Sequence, residues 1–311
     1  MTNNKVFKTI DEQIDILKSK GLIINNTDYA KSILLRENYF FLNGYRHIFL
    51  KKDLSRKFIN GVTFEELYSL FCFDRRFRNI IFKNLLIVEN NYKSIFSYSM
   101  SKHYGYKEKD YLNPSNFTSD KAKSKQVSDL IRKLKRQIRI NGKQHTATSH
   151  YMNNYGYVPM WIGVKVLSFG LISEMYSILK EEDKINIANF YNIEPNLLET
   201  YLPILANYRN LCAHEDILFD HFTQRYIPDS KYHSLLNIPK TNDEYIYGKN
   251  DIFALIIILK HMLTKDDFKM MMNEINFELE YLGGKIDSVS IEDIYDKMGF
   301  PINYKDIMYI D

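Results

Sequence analysis

The sequence has few of the residues that break, cross-link or stiffen a chain. Only 12 glycines and 7 prolines occur in 311 residues, which favours long helices over a turn-rich β architecture. The two cysteines, Cys72 and Cys212, form no CxxC pair, so we expect a reducing compartment, no disulfides and no structural zinc site. A Gly-rich phosphate loop, an HExxH motif and a carboxylate cluster for two metals are missing as well. We therefore expect no metal and no cofactor.

Long hydrophobic runs are also missing. The longest one, residues 252–259, is too short to cross a bilayer, and no apolar segment follows residues 1–5 as it would in a signal peptide. These features predict a cytoplasmic protein with no membrane partner. The net charge of +4 permits a nucleic-acid partner but does not require one.

Helix signals recur along the chain. Thr9 and Thr63 are each followed three residues later by Glu and then by apolar residues at spacings of three and four, which predicts a helix start at both positions. Pro195 indicates another helix start, and Pro203 predicts a kink inside that helix. Residues 224–248 have little periodicity and read as an extended linker.

The fold class expected from these signals is all-α. The order of elements divides the chain into an N-terminal helical region (residues 1–62), a helical core (63–222), and a linker with C-terminal helices (223–311). We expect the three regions to pack as one compact unit.

Aromatic side chains are concentrated in residues 38–45, which read Asn-Tyr-Phe-Phe-Leu-Asn-Gly-Tyr. Such rings can fill a core or form a surface on which bases stack. We interpret them as core, because large apolar rings most often bury their surface.

Positive charge is concentrated between residues 121 and 143, where Asp129 is the only acidic residue. Apolar residues recur there at helical spacing, so one stripe of a helix can pack while cations cover the other face. That face is either a solvated surface or a contact for RNA phosphates, and both readings stay open. The candidate RNA-binding residues are Arg132, Lys133, Lys135, Arg136 and Arg139. His145 and His150 follow in a predicted polar linker and receive no role.

An Arg, an amide and a His lie within six residues, as Arg209, Asn210 and His214, near the end of a predicted helix. A guanidinium binds and neutralises phosphate, and an imidazole moves a proton near neutral pH. On a continuous helix the Arg and His side chains point about 140° apart, so they converge only at a helix break or across two subunits. The alternative is a helix end whose basic residues stabilise the last carbonyls.

Glu89 and Lys93 lie four residues apart and so share one face of a predicted helix. The pair is either a surface salt bridge or a polar pair that supports an active site. The spacing favours the surface salt bridge.

Five segments together resemble the Abi-like (AbiD/AbiF) abortive-infection family of bacterial phage defence. They lie within residues 8–222 and are 13–22, 38–45, 73–78, 161–173 and 209–214. One departure is the acidic segment 215–221, where the family often has a basic residue, an aromatic residue and Asn after its His. The family is similar to HEPN proteins, helical domains whose Arg-x4-6-His motif marks metal-independent endoribonucleases.

The resemblance implies a HEPN-type helical bundle at residues 63–222, with additional N- and C-terminal helices. It also implies that Arg209 and His214 are catalytic and that Asn210 is the polar residue beside them. We add Glu89 and Lys93, from their spacing alone, as the candidate supporting polar pair. The expected function is an endoribonuclease toxin that acts as a homodimer on RNA, with a small noncoding RNA as antitoxin. The alternatives are a non-catalytic HEPN-fold RNA-binding protein and a toxin that acts on a substrate other than RNA.

Overall fold

The protein is described by a computed structural model that covers residues 6–310, so the expectation about a signal peptide at residues 1–5 lies outside the described range. Within that range the chain forms fifteen α-helices and one two-stranded hairpin, which confirms the all-α fold class. No helix among the described residues is both long and apolar enough to pass through a membrane.

The first three helices precede the longest one. They are α1 (Ile10–Ser19), α2 (Thr27–Glu37) and α3 (Tyr39–Gly44). The middle of the chain contributes eight helices: α4 (Phe64–Tyr104), α5 (Glu108–Tyr111), α6 (Ser124–Gly142), α7 (Thr146–Tyr155), α8 (Met160–Val166), α9 (Phe169–Ser177), α10 (Glu181–Ala188) and α11 (Pro195–Ala213). The remaining elements are α12 (Lys231–Leu235), β1 (Lys240–Thr241), β2 (Glu244–Tyr245), α13 (Ile252–Met262), α14 (Lys265–Gly283) and α15 (Ile291–Met298).

Helix α4 organises the molecule. It has 41 residues and packs against α8, α11 and α14, so it contacts both the middle and the C-terminal part of the chain. The buried apolar side chains of all three predicted regions belong to one hydrophobic cluster. The boundaries proposed at residues 62 and 222 stay a prediction.

Local hydrogen bonds set the helix starts where the sequence indicated them. Thr9 and Thr63 both form capping boxes, with Glu12 and Glu66 as the acidic partners. Pro195 occupies the first turn of α11, where its missing N–H costs no hydrogen bond. The helix continues through Pro203 to Ala213.

Two predicted linkers contain regular structure. Residues 224–248 hold α12 and the β1–β2 hairpin, organised by the fully buried His233, whose Nε2 lies 2.9 Å from the Gly248 carbonyl oxygen. The predicted polar linker around His145 is helix α7, whose first turn the His145 ring caps by accepting from the Thr148 N–H. Both predictions were wrong. Helix α12 and the two strands are too short to show a periodic pattern of apolar residues, and α7 begins at a His, which is not one of the residues that usually mark a helix start.

Candidate functional site

The Arg–Asn–His motif lies at the C-terminal end of α11. Arg209 and Asn210 belong to the last turns of the helix, and His214 is its C-cap residue. The backbone N–H of His214 still donates to the Asn210 carbonyl at 3.0 Å, so the helix does not break between Arg209 and His214.

Arg209 is held by a carboxylate on α4. Its Nε donates to Glu89 Oε2 at 3.0 Å, and its Nη1 contacts Asn210 Oδ1 at 3.4 Å. Glu89 Oε1 also accepts from Lys93 Nζ at 2.7 Å, and the same ammonium donates to the Leu167 carbonyl at 2.7 Å. We call Arg209, Glu89 and Lys93 the α4–α11 triad.

Burial separates the triad from an ordinary surface ion pair. The Glu89 and Lys93 side chains are only 8% and 10% exposed, whereas Arg209 is 31% exposed. The reading of Glu89 and Lys93 as a surface salt bridge is therefore wrong, since α8 and α11 cover a face of α4 that spacing alone leaves undecided. Two cations share one carboxylate, so the triad carries a net charge of +1, and its outer edge is the guanidinium of Arg209. A partly exposed guanidinium of this kind can bind a phosphate by donating hydrogen bonds to its oxygens.

His214 points to a different neighbourhood. Its side chain is exposed and makes no hydrogen bond to the part of the chain between residues 6 and 310. It lines a cleft of about 840 Å³ between the end of α11 and helices α2 and α3. Arg209 is not among the residues that line this cleft.

The cleft beside His214 combines rings, cations and carboxylates. Phe40 and Phe41 line it and are 76% and 56% exposed, so their assignment to the core was wrong, whereas Leu42 and Tyr45 of the same segment are buried as predicted. Of the six residues of α3 only Leu42 is buried, so the two rings lie on the part of this short helix that the described chain does not cover. Its lining also includes the cations Arg36, Arg46, Arg75 and Arg78 and the carboxylates Glu37, Glu215 and Asp216.

A buried polar cluster anchors the segment that follows His214. The Asp74 carboxylate accepts from the Tyr45 hydroxyl at 2.7 Å, from the Phe219 N–H at 2.8 Å and from the Arg78 guanidinium. Arg78 in turn donates to the Asp216 carbonyl at 3.3 Å. Sequence reasoning gave Asp74 and Arg78 no role in the site, although their spacing of four on one helix was the available signal.

The turn after His214 is backbone-strained. The N–H of Asp216 donates to the Leu211 carbonyl and that of Glu215 to the Cys212 carbonyl, which is the Schellman pattern at a helix end. Glu215 takes the left-handed position with φ of +58°, a conformation that favours glycine. The strain is maintained by the Asp74 cluster, which fixes the next residues.

The cysteine inside the motif, Cys212, is not a nucleophile. It is buried, and burial raises the pKa of its thiol to about 12, so it is protonated at neutral pH. Among the described residues no group of three or more His, Cys, Asp and Glu is arranged to hold a metal ion.

The basic helix α6 has the predicted amphipathic form. Its apolar stripe is buried, and all five candidate RNA-binding residues are exposed: Arg132, Lys133, Lys135, Arg136 and Arg139. Four of them, all but Lys133, line a shallow cleft together with Ile140. Asp129 pairs with Arg132 at 2.8 Å, and Lys133 lies 3.6 Å from Glu174. The role of this face in RNA binding stays a prediction.

Comparison with known proteins gives one result. A family model described as Abi-like protein matches residues 32–220, more than half of the chain. The match includes four of the five resembling segments, the α4–α11 triad and the Arg–Asn–His motif, whereas segment 13–22 lies outside it. No curated protein and no solved structure matches the chain. The chain belongs to the Abi-like protein family.

Proposed function

We propose that this protein is a metal-independent endoribonuclease toxin of abortive infection. Membership of the Abi-like family links the chain to abortive infection, the defence of bacteria against phage. The observation that carries the proposal is the α4–α11 triad, which holds the Arg209 guanidinium at the end of α11 with a net positive charge. A phosphodiester is the anion that an Arg near a His is suited to bind and activate.

In the proposed reaction the RNA supplies its own nucleophile. The 2′-oxygen attacks the adjacent phosphorus, the bond to the 5′-oxygen of the next nucleotide breaks, and a 2′,3′-cyclic phosphate forms. His214 takes the proton from the 2′-hydroxyl and, as the imidazolium, gives it to the leaving 5′-oxygen. Arg209 neutralises the charge on the phosphoryl oxygens. Asn210 keeps the guanidinium oriented through its contact at 3.4 Å.

A second subunit completes this site. On the unbroken end of α11, Arg209 faces Glu89 while His214 faces the cleft beside α3. Two copies of α11 that meet around an axis can bring the Arg of one chain to the His of the other. A homodimer is therefore part of the proposal.

RNA contacts outside the site are assigned to two surfaces. The cleft beside His214 offers Phe40 and Phe41 to an unpaired base and Arg36 and Arg46 to phosphates. The exposed cations of α6 suit a longer RNA, either the substrate or a small noncoding RNA that restrains the toxin.

Cleavage of a mixed RNA pool in EDTA tests the proposal. We expect the unaltered protein to produce fragments with cyclic phosphate ends, and Arg209→Ala and His214→Ala to reduce cleavage by at least about a thousandfold, in line with loss of a general acid–base or of charge stabilisation. Arg209→Lys should restore little, because an ammonium cannot make two parallel hydrogen bonds. The matched control is Arg225→Ala, a change of an exposed arginine outside the motif.

The competing candidate is a non-catalytic RNA-binding protein on the same fold. Two observations favour it. Arg209 Nε already donates to Glu89, and within one chain Arg209 and His214 lie in different surroundings, so they do not form one catalytic pair there. In that case RNA would bind, the mixed pool would stay intact, and toxicity in cells would survive His214→Ala.

A further inference from the structure

A continuous string of aromatic rings lies on the surface formed by the loop before α5, helix α7 and the start of α8. Each ring contacts the next, with centroid distances between 5.4 and 6.3 Å. We call it the aromatic string, and its members are His150, Tyr151, Tyr155, Tyr157, Tyr106 and Trp161.

Four of the six rings are exposed to solvent, Tyr151 and Tyr157 are half-buried, and none of the six belongs to the core. Tyr155, Trp161 and Tyr106 are 57%, 45% and 42% exposed. Trp161 and Tyr106 also line a shallow cleft with Tyr98, whose ring is 61% exposed. Rings of this size that share one surface without being covered indicate a binding site.

The charge around the string has one sign over a long segment. Between Asp129 and Glu174 the sequence contains no Asp or Glu. The same segment holds seven basic residues, which are Arg132, Lys133, Lys135, Arg136, Arg139, Lys143 and Lys165. Such a segment attracts a polyanion and repels a second copy of itself.

The aromatic string and the basic face of α6 adjoin each other at α5. The Lys107 ammonium lies over the rings of Tyr157 and Tyr106, at 5.2 and 5.9 Å from their centroids. The next residue, Glu108, lies beside the basic face: burial raises the pKa of its carboxyl, and the neighbouring Arg139 and Lys135 partly offset that rise. Glu108 and Asp110 are the acidic groups at this junction.

We propose that the aromatic string binds unpaired nucleotides of an RNA by base stacking, while the adjoining basic face of α6 contacts the phosphates of the same strand. Rings that stack on bases, next to cations that follow the backbone, are how proteins bind single strands without reading their sequence. The proposal rests on the proposed function only in naming RNA as the ligand, and it needs no cleavage.

Trp161 makes the proposal directly measurable because it is the only tryptophan in the sequence. The His214→Ala chain, chosen so that RNA is not cut, is titrated with an oligouridylate of about ten nucleotides. We expect quenching of Trp161 emission and an affinity that falls steeply with salt. A duplex of equal length should quench far less, since its bases are already stacked on each other.

Ring substitutions then separate stacking from charge. Tyr155→Ala should weaken oligouridylate binding by roughly tenfold, and Tyr155→Phe should stay within about twofold, because the ring is kept. Tyr309→Ala is the matched control, since Tyr309 is 74% exposed and lies outside the string. Helicity should be unchanged in all three variants.

Three results would overturn the proposal. One is an emission that does not change on titration. Another is equal binding of duplex and single strand with no effect of Tyr155→Ala, which would leave charge on α6 as the whole interaction. The third is a Trp161→Ala chain that binds RNA as well as the unaltered protein does but sediments as a monomer where the unaltered protein is a dimer. That result would show the string to be an interface between two copies. None of these results depends on whether the protein cleaves RNA.

Discussion

At the residue scale, Glu89 decides how the Arg–Asn–His motif is presented. Its carboxylate binds Arg209 and Lys93 at once and is almost excluded from solvent. A buried carboxylate between two cations is costly to remove, because the cations it leaves behind lose their partner without regaining water. Glu89 therefore both stabilises the α4–α11 contact and aims the Arg209 guanidinium.

Glu89→Gln should lower the free energy of unfolding by roughly 3 kcal/mol, as expected when one partner of a buried pair is lost. Urea denaturation measures this loss. In the double variant Glu89→Gln/Lys93→Met the buried Lys93 ammonium is removed together with its partner, so much of the lost stability should return. RNA cleavage should nevertheless stay low in both variants, because Arg209 has lost its anchor. Full cleavage by the stable double variant would show that the triad is structural only.

At the element scale, the region from α12 to α13 should make the fold sensitive to acid. Burial lowers the pKa of His233, and burial together with Lys231 and Lys260 lowers that of His261 to about 4. Both histidines are packed against rings, His233 on Tyr245 and His261 on Tyr201. The neutral imidazoles are thus part of the packing of this region.

The two histidines should lower the free energy of unfolding as the pH drops from about 6.5 towards 4. The Asp251 carboxyl, whose pKa burial raises to about 6, contributes in the opposite direction. In this window the unfolded chain binds protons at the two histidines while the folded chain does not, so protonation favours unfolding. His261 alone can contribute at most about 3 kcal/mol, the equivalent of its pKa shift. Urea midpoints measured across this range test the effect.

His261→Phe keeps a ring of similar size but cannot bind a proton. The slope of stability against pH should therefore become shallower in this variant, whereas His150→Gln, at an exposed histidine, should leave it unchanged. An unaltered slope in His261→Phe would assign the acid sensitivity to other groups.

At the scale of the whole molecule, the proposed reaction requires Arg209 and His214 to meet. Within one chain the unbroken α11 directs them to different neighbours, and α4 fixes the direction of Arg209. The composite homodimer site that we propose would remove this conflict without any change in the fold. At the end of α11 the exposed His214 side chain makes no hydrogen bond to the described residues, which leaves room for the second chain.

Mixing inactive Arg209→Ala and His214→Ala chains tests the composite site. If each active centre takes its Arg from one chain and its His from the other, mixed dimers should regain an intact centre and up to half of the cleavage per dimer. Each variant mixed with more of itself is the control. Cleavage by a protein that sediments as a monomer at micromolar concentration would contradict this arrangement.

The sequence alone determined the features that depend on near neighbours along the chain. The capping boxes at Thr9 and Thr63 follow from hydrogen bonds between residues three apart, and they predicted two helix starts correctly. The buried stripe of α6 and the burial of α13 follow from the spacing and density of apolar residues. The all-α fold class needed no more than these local signals.

Only the tertiary structure decided which faces meet. Glu89 is buried because α11, 120 residues later in the chain, lays Arg209 against it, and no local pattern encodes that contact. Phe40 and Phe41 are exposed on α3, where only Leu42 is buried, although an aromatic segment of this kind is typical of a core. Contacts of this kind depend on the packing of distant helices, so the surroundings of Arg209 and His214 became visible only in the folded chain.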